Sequence, residues 1–169
     1  EITGLLGRDK EFKDLESVLS KNRNNLVAIV APGGIGKTAL VLQYLKDLSL
    51  NPLWSAKLSA IIFCTLKNEK LTINGIETID AISGIEQIKE TIFEDLKKIY
   101  TNNFQLNSFD ESLTVLENEN ILICIDNLET LLVDSQKEFI EFNQLLPLRW
   151  KLLVTSRISI DSATTVPLE

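Results

Sequence analysis

The stretch that decides the fold is Leu26-Val27-Ala28-Ile29-Val30-Ala31-Pro32-Gly33-Gly34-Ile35-Gly36-Lys37-Thr38. Its first five residues form an apolar run of strand length without polar alternation, the pattern of a strand buried on both faces of a parallel sheet. Glycines follow at 33, 34 and 36, and they open backbone conformations closed to residues with a Cβ. Several N–H groups can therefore converge on one anion. Thr38 to Leu48 then reads as a helix, whose N-terminus adds its partial positive charge. Strand, glycine-rich loop and Gly-Lys-Thr at a helix start make a phosphate-binding loop. In such a loop Lys37 reaches the β- and γ-phosphates of a nucleoside triphosphate and the Thr38 hydroxyl ligates Mg²⁺. Ala31 stands where the usual pattern begins with glycine.

The rest of the chain alternates in the same way. Asp9 to Leu19 predicts a helix carrying Phe12, Leu15 and Leu19. Asn51-Pro52 predicts the end of the helix that follows the loop. Ala60–Cys64 and Ile121–Ile125 read as further buried strands, Leu152–Val154 as a fourth, and Thr164–Leu168 as a short last one. Lys67 to Asp80 is polar and irregular, and Asn74-Gly75 marks a turn, so a small hairpin or a loop is expected there. Ser83-x-x-Glu86, Ser108-x-x-Glu111 and Ser135-x-x-Glu138 have the spacing of capping boxes. The first predicts a helix with Ile85, Ile88, Ile92, Leu96 and Ile99 on one face. The second carries Leu113 and Leu116, and the third carries Phe139, Phe142 and Leu146. Strands alternating with helices predict a three-layer α/β/α sandwich around a central parallel sheet of about five strands, spanning residues 1–169 as one domain.

Composition narrows the function. The chain has 169 residues, a net charge of −7 and no basic run, which argues against a nucleic-acid platform. It has no histidine, so the commonest zinc ligand and general base is absent. Its two cysteines, Cys64 and Cys124, each lie inside a predicted strand and are expected to be small buried hydrophobes. No apolar run is long enough to span a membrane and no signal peptide is visible, so a cytoplasmic location is expected. The chain contains no methionine, and it is expected to be a piece of a longer protein.

Three residues beyond the loop are candidates for chemistry. Asp126 ends the most apolar strand, at the carboxyl edge where ligands of open α/β sheets bind, and a carboxylate there can hold Mg²⁺. Arg157 lies just past the Leu152–Val154 strand, at the same edge, where it can read a γ-phosphate. Glu129 follows Asp126 by three residues, either to help orient and deprotonate water or simply as a solvated helix residue. Asn127 stands where many ATPases place a second carboxylate. It can orient a water but cannot take its proton.

Together these motifs resemble the STAND class of signal-transduction ATPases, most closely its NB-ARC type, the nucleotide-binding domain of NLR-like proteins. That group includes plant disease-resistance proteins, apoptotic-protease activators and bacterial regulators and phage-defence proteins. The resemblance runs from Leu5 to about Leu168. Leu6-Gly7-Arg8 with Glu11 is similar to the family's lead-in motif, which implies adenine contacts from Leu6 and Arg8. Pro32 to Leu40 is similar to its phosphate loop, which implies that Gly33, Gly34, Ile35, Gly36, Lys37, Thr38 and Ala39 hold the nucleotide. Leu122 to Glu129 resembles its Mg²⁺ strand, and Lys151 to Arg157 its sensor strand.

The resemblance implies a P-loop NTPase fold with the ASCE-type strand order. It implies ATP in the active state, ADP in the resting state, Mg²⁺ as cofactor and slow hydrolysis. It also implies helical, winged-helix, sensor and effector domains in the same chain, with the winged helix supplying a histidine to the β-phosphate. Full-length active protein would be a homo-oligomer and this piece a monomer. The competing readings are a stand-alone P-loop enzyme such as a small-molecule kinase, a GTPase, and an interaction module without turnover. A kinase needs an arginine-bearing lid and a GTPase needs Asn-Lys-x-Asp, and neither is seen in the sequence.

Overall fold

The structure is a computed structural model, and it describes residues 13, 17, 25–30, 37–66, 69–72, 75–78, 81–102, 105–132, 136–160 and 163–167. In chain order the elements are β1 (Leu26–Val30), α1 (Lys37–Leu50), α2 (Pro52–Lys57), β2 (Ala60–Thr65), β3 (Glu69–Thr72), β4 (Gly75–Thr78), α3 (Ala81–Ile99), α4 (Phe109–Val115), β5 (Ile121–Asp126), α5 (Glu129–Leu132), α6 (Lys137–Leu145), β6 (Trp150–Ser156) and β7 (Thr164–Pro167). Lys13 and Ser17 are helical, and the rest of the helix expected over Asp9–Leu19 lies outside the described residues.

Five strands form one sheet in the order β2-β5-β6-β1-β7, and every neighbouring pair is parallel. The strand that follows Asp126 in the chain, β6, is inserted between β1 and β5. Numbered one to five along the chain, the sheet strands read 5-1-4-3-2 from the other edge, which is the ASCE-type order. β3 and β4 pair antiparallel as a separate two-stranded hairpin, with Thr72 opposite Gly75. Of the two options for 67–80, the hairpin is therefore the one that forms.

The unbroken apolar runs of β1, β5 and β6 are explained by two cores, one on each face of the sheet. Leu26, Ala28, Ile121, Ile123, Ile125, Leu152 and Val154 face Ile88 and Ile92 of α3 and Phe139 and Phe142 of α6. The alternate residues Val27, Ile29, Leu122, Cys124 and Leu153 face Leu40, Val41, Tyr44 and Leu48 of α1. A strand between two helical layers needs apolar side chains at every position, because successive Cβ atoms point to opposite faces. This is a three-layer α/β/α sandwich. The 109–142 and 139–142 phenylalanine pairs, each with ring centroids 6.2 Å apart, fill the first core. Beside them the Trp150 indole donates to Leu116 O at 3.0 Å.

Several local expectations need correction. α3 begins at Ala81, so Ser83 lies within its first turn and does not cap it. A Ser-x-x-Glu spacing places both residues on one helix face wherever it occurs, so the spacing alone does not locate the end. α6 has Gln136 at its N-cap, without a side-chain cap bond, and Ser135 lies outside the described residues. Gln136 instead donates to Ser159 O at 3.0 Å, which ties the helix start to the loop after β6. Ile99 is 44% exposed, while Tyr100 takes the inward position one turn beyond Leu96. The Tyr100 hydroxyl donates to Glu119 there, at 3.2 Å. Asn51-Pro52 does end α1, but it also starts α2, since Asn51 accepts from Leu53 N with Pro52 as the first helical residue.

The second Ser-x-x-Glu does mark a helix start, with the carboxylate bond shifted one residue ahead of the Ser108 cap. Ser108 accepts from Glu111 N at 3.0 Å, and the Glu111 carboxylate reaches back to Asn107 N at 3.0 Å. Cys64 and Cys124 are free and buried. Burial foremost, then the nearby charge of Asp95, pushes the Cys64 thiol up to about 12. Burial, then Asp126 and Cys64, holds Cys124 well above its ordinary value. Neither thiol is poised as a nucleophile or a metal ligand.

Candidate functional site

The parallel register brings the ends of four strands to one edge. Val30 pairs with Ser156, Thr65 with Asp126, and Ile125 with Val154. β1 ends at this edge with Val30, and α1 begins at Lys37. Leu6, Arg8, Gly33, Gly34, Ile35 and Gly36 lie outside the described residues, as does the side chain of Lys37. Ala39 is exposed on the first turn of α1. Thr38 is the described residue that links this turn to the sheet.

The Thr38 hydroxyl donates to Asp126 Oδ2 at 2.7 Å, across 88 residues of sequence. Asp126 is 1% exposed, at the last position of β5, in a wall of apolar side chains. A buried carboxylate is costly unless hydrogen-bonded, and both oxygens here have donors. The second donor is Thr155, whose hydroxyl gives its proton to Asp126 Oδ1 at 2.5 Å. That hydroxyl in turn accepts from Asn127 N at 2.9 Å. Thr155 O also accepts from Leu128 N at 2.9 Å. Thr155 thus pins the turn that carries the chain from β5 into α5.

That turn has one unusual residue. Asn127 has φ +64°, in the left-handed region. Asparagine tolerates this conformation far better than branched residues do. The asparagine at position 127, read from sequence as a group that can orient a water but not take its proton, thus also has a backbone reason. The close approach of α5 to α3 depends on Gly84. A Cβ there would meet Leu131 Cδ2 at 2.1 Å.

Glu129 and Arg157 come together. Glu129 opens α5 and accepts from Arg157 N at 3.1 Å. Its other oxygen lies 4.0 Å from Arg157 Nε, with side-chain exposures of 63% for Arg157 and 21% for Glu129. Glu129 is therefore neither a free carboxylate nor a purely solvated one. The Ser156 hydroxyl donates to Ile158 O at 2.7 Å and accepts from Ile158 N at 3.1 Å. This tight turn holds Arg157 outward at the sheet edge.

The donor set suits a hard divalent cation. Among the described residues, no group of three or more His, Cys, Asp and Glu stands ready to hold a metal. A cation here would take the Thr38 hydroxyl and the Asp126 carboxylate, with phosphate and water oxygens completing its shell, as Mg²⁺ prefers. The hydrogen bond favours this, because a hydroxyl whose proton is taken by Asp126 turns its lone pairs outward. Thr155 is the residue that sequence reasoning misses. The available signal is a hydroxyl at the end of an otherwise apolar strand, next to the Asp126 strand.

No protein-family model matches the sequence, and no curated protein matches it. Solved structures do match. Cdc6p from Pyrobaculum aerophilum aligns over 95% of this chain with a TM-score of 0.50 and 15% identity. PCH-2 from C. elegans also aligns over 95%, with a TM-score of 0.47 and 13% identity. This chain spans 44% of the first structure and 42% of the second, less than half of either. The likeness to Cdc6p, with the strand order above, defines the fold as that of the P-loop NTPases. Among the described residues, no helix is long and apolar enough to cross a membrane.

Proposed function

We propose that this chain is an ATP/ADP-binding switch module of the STAND type, with Mg²⁺ as its cation and slow ATP hydrolysis. The observation that carries this reading is the bond from Thr38 to the buried carboxylate of Asp126. It joins the start of the helix after the glycine-rich loop to the strand end where a cation belongs. Lys37 would contact the β- and γ-phosphates, and Gly33, Gly34, Ile35, Gly36 and Ala39 would enclose them. Leu6 and Arg8 would contact adenine. When bound, Mg²⁺ would draw charge from the transferring phosphate.

Arg157, held outward at the same edge, is the proposed reader of the γ-phosphate. Its pairing with Glu129 supports a two-position residue, seated on Glu129 without triphosphate and on the phosphate with it. An exposed pair of this length contributes little, about 0–1 kcal/mol, so a phosphate can outcompete it. Glu129 would act on turnover through Arg157 as much as through water. With the amide of Asn127 next to Asp126, hydrolysis is expected to be slow. In the longer protein, the helical and winged-helix domains would close the site, and the nucleotide state would govern homo-oligomerisation and an attached effector.

The test is competition on this chain in Mg²⁺ buffer, with phosphate release followed in parallel. ATP and ADP should displace a fluorescent adenine nucleotide while GTP does not, and phosphate release should be slow. Equal displacement by GTP would defeat the adenine assignment. Rapid multiple turnover would defeat the switch reading.

A further inference from the structure

Thr155 bonds to two groups of the site at once, and their chemistry fixes its direction. The backbone N–H of Asn127 can only donate, so the Thr155 hydroxyl must accept from it at 2.9 Å. Its single proton is then committed to Asp126 Oδ1, at 2.5 Å. Thr155 is fully buried, so water cannot substitute for either partner. With Oδ1 held, the carboxylate plane of Asp126 is set and Oδ2 is turned to Thr38, which it meets at 2.7 Å. Thr155 sits on β6, the strand inserted between β1 and β5, so the sheet order itself delivers this hydroxyl to the Asp126 strand.

We infer that Thr155 is the positioning residue of the cation site, fixing the Asp126 carboxylate so that one oxygen is left to orient Thr38 and the metal. The inference rests on the reading of Thr38 and Asp126 as cation ligands. Thr155 would touch neither metal nor nucleotide. Its hydroxyl would act only through Asp126, as outer partners of metal ligands do.

Thr155→Val removes the hydroxyl while keeping the shape, and Thr155→Ser keeps the hydroxyl. The readout is a Mg²⁺ titration of the 169-residue chain with a fluorescent ADP analogue, together with ADP affinity in excess chelator. Thr155→Val should raise the Mg²⁺ midpoint about tenfold, the size of effect typical of such partners. Its affinity for metal-free ADP should stay unchanged, and Thr155→Ser should restore the wild-type midpoint. A merely structural role would instead weaken both affinities together. If Thr155→Val does not give a cooperative melt, Thr155→Cys, a weaker donor, carries the same comparison and should raise the midpoint. An unchanged midpoint in a folded variant would overturn the inference while leaving the cation site standing. Absence of any Mg²⁺ response in the wild type would overturn the underlying reading as well.

Discussion

Asp126→Asn separates the cation site from the fold. The native carboxylate accepts two hydroxyl protons, from Thr38 at 2.7 Å and Thr155 at 2.5 Å. An amide of the same shape can accept only one of them. Thr155 is fully buried and its acceptor side is taken by the backbone N–H of Asn127, so its proton must keep an acceptor. Leaving that donor unpaired would cost about 1–3 kcal/mol. The new carbonyl therefore faces Thr155 and the new NH₂ faces Thr38. Thr38 must then turn its proton away from residue 126, toward where the cation would sit. Two charge-assisted bonds become neutral ones, a loss of about 1 kcal/mol or more for each. Against that loss, removing a buried charge relieves a desolvation cost of several kcal/mol. The apo stability should therefore stay within about 1 kcal/mol of wild type, since these contributions oppose one another. The Mg²⁺-dependent part of nucleotide affinity should fall by at least about 100-fold, because losing a ligand's charge costs more than disturbing the partners that orient it. Urea unfolding and a fluorescent-nucleotide titration with and without Mg²⁺ would measure the two quantities. A variant with unchanged Mg²⁺ dependence, or one that fails to fold, would refute this reasoning.

Other consequences follow from the same geometry. Phe142→Ala should lose about 3–5 kcal/mol of stability in urea melts, because its buried ring packs on both Phe109 and Phe139. Glu129→Ala should free the Arg157 backbone N–H, lowering ATP turnover and shifting the ATP-over-ADP preference while ADP affinity holds, as read by competition titration. Cys64 and Cys124 should resist a thiol reagent at pH 8 in the native chain and react fully in guanidinium. The Cys64 thiol rises in the fold from 9.0 to about 12, so its contribution to stability is complete below pH 9 and is lost as pH climbs toward 12. Urea midpoints should accordingly fall across that alkaline window.

The sheet is readable from sequence because burial on two faces leaves a simple mark. Leu26–Val30 and Ile121–Ile125 are apolar at every position, and each becomes a central strand. Helix ends are harder. Ser108-x-x-Glu111 and Ser83-x-x-Glu86 look alike, yet only the first marks a helix start. The difference lies in which backbone donors are left over, and that depends on the tertiary path. α2 is hidden because the six residues Pro52–Lys57 are too few to give a helical period. In the site, Asp126 and Thr38 are legible as residue types in a known spacing. The Thr155 bridge and the Glu129–Arg157 pair are not, because they join positions 29 and 28 residues apart that only the parallel register brings together. The lead-in residues Leu6 and Arg8 and the loop glycines lie outside the described residues, and their assignment rests on motif alone.

The central claim is that the glycine-rich loop, with Lys37 and Thr38, holds a nucleoside triphosphate against Asp126. Calorimetric titration of ATP with Mg²⁺ into the wild-type chain and into Lys37→Ala tests it most directly. The wild type should bind measurably and the variant not at all, with both chains melting alike. Equal ATP affinity in the two chains would contradict it.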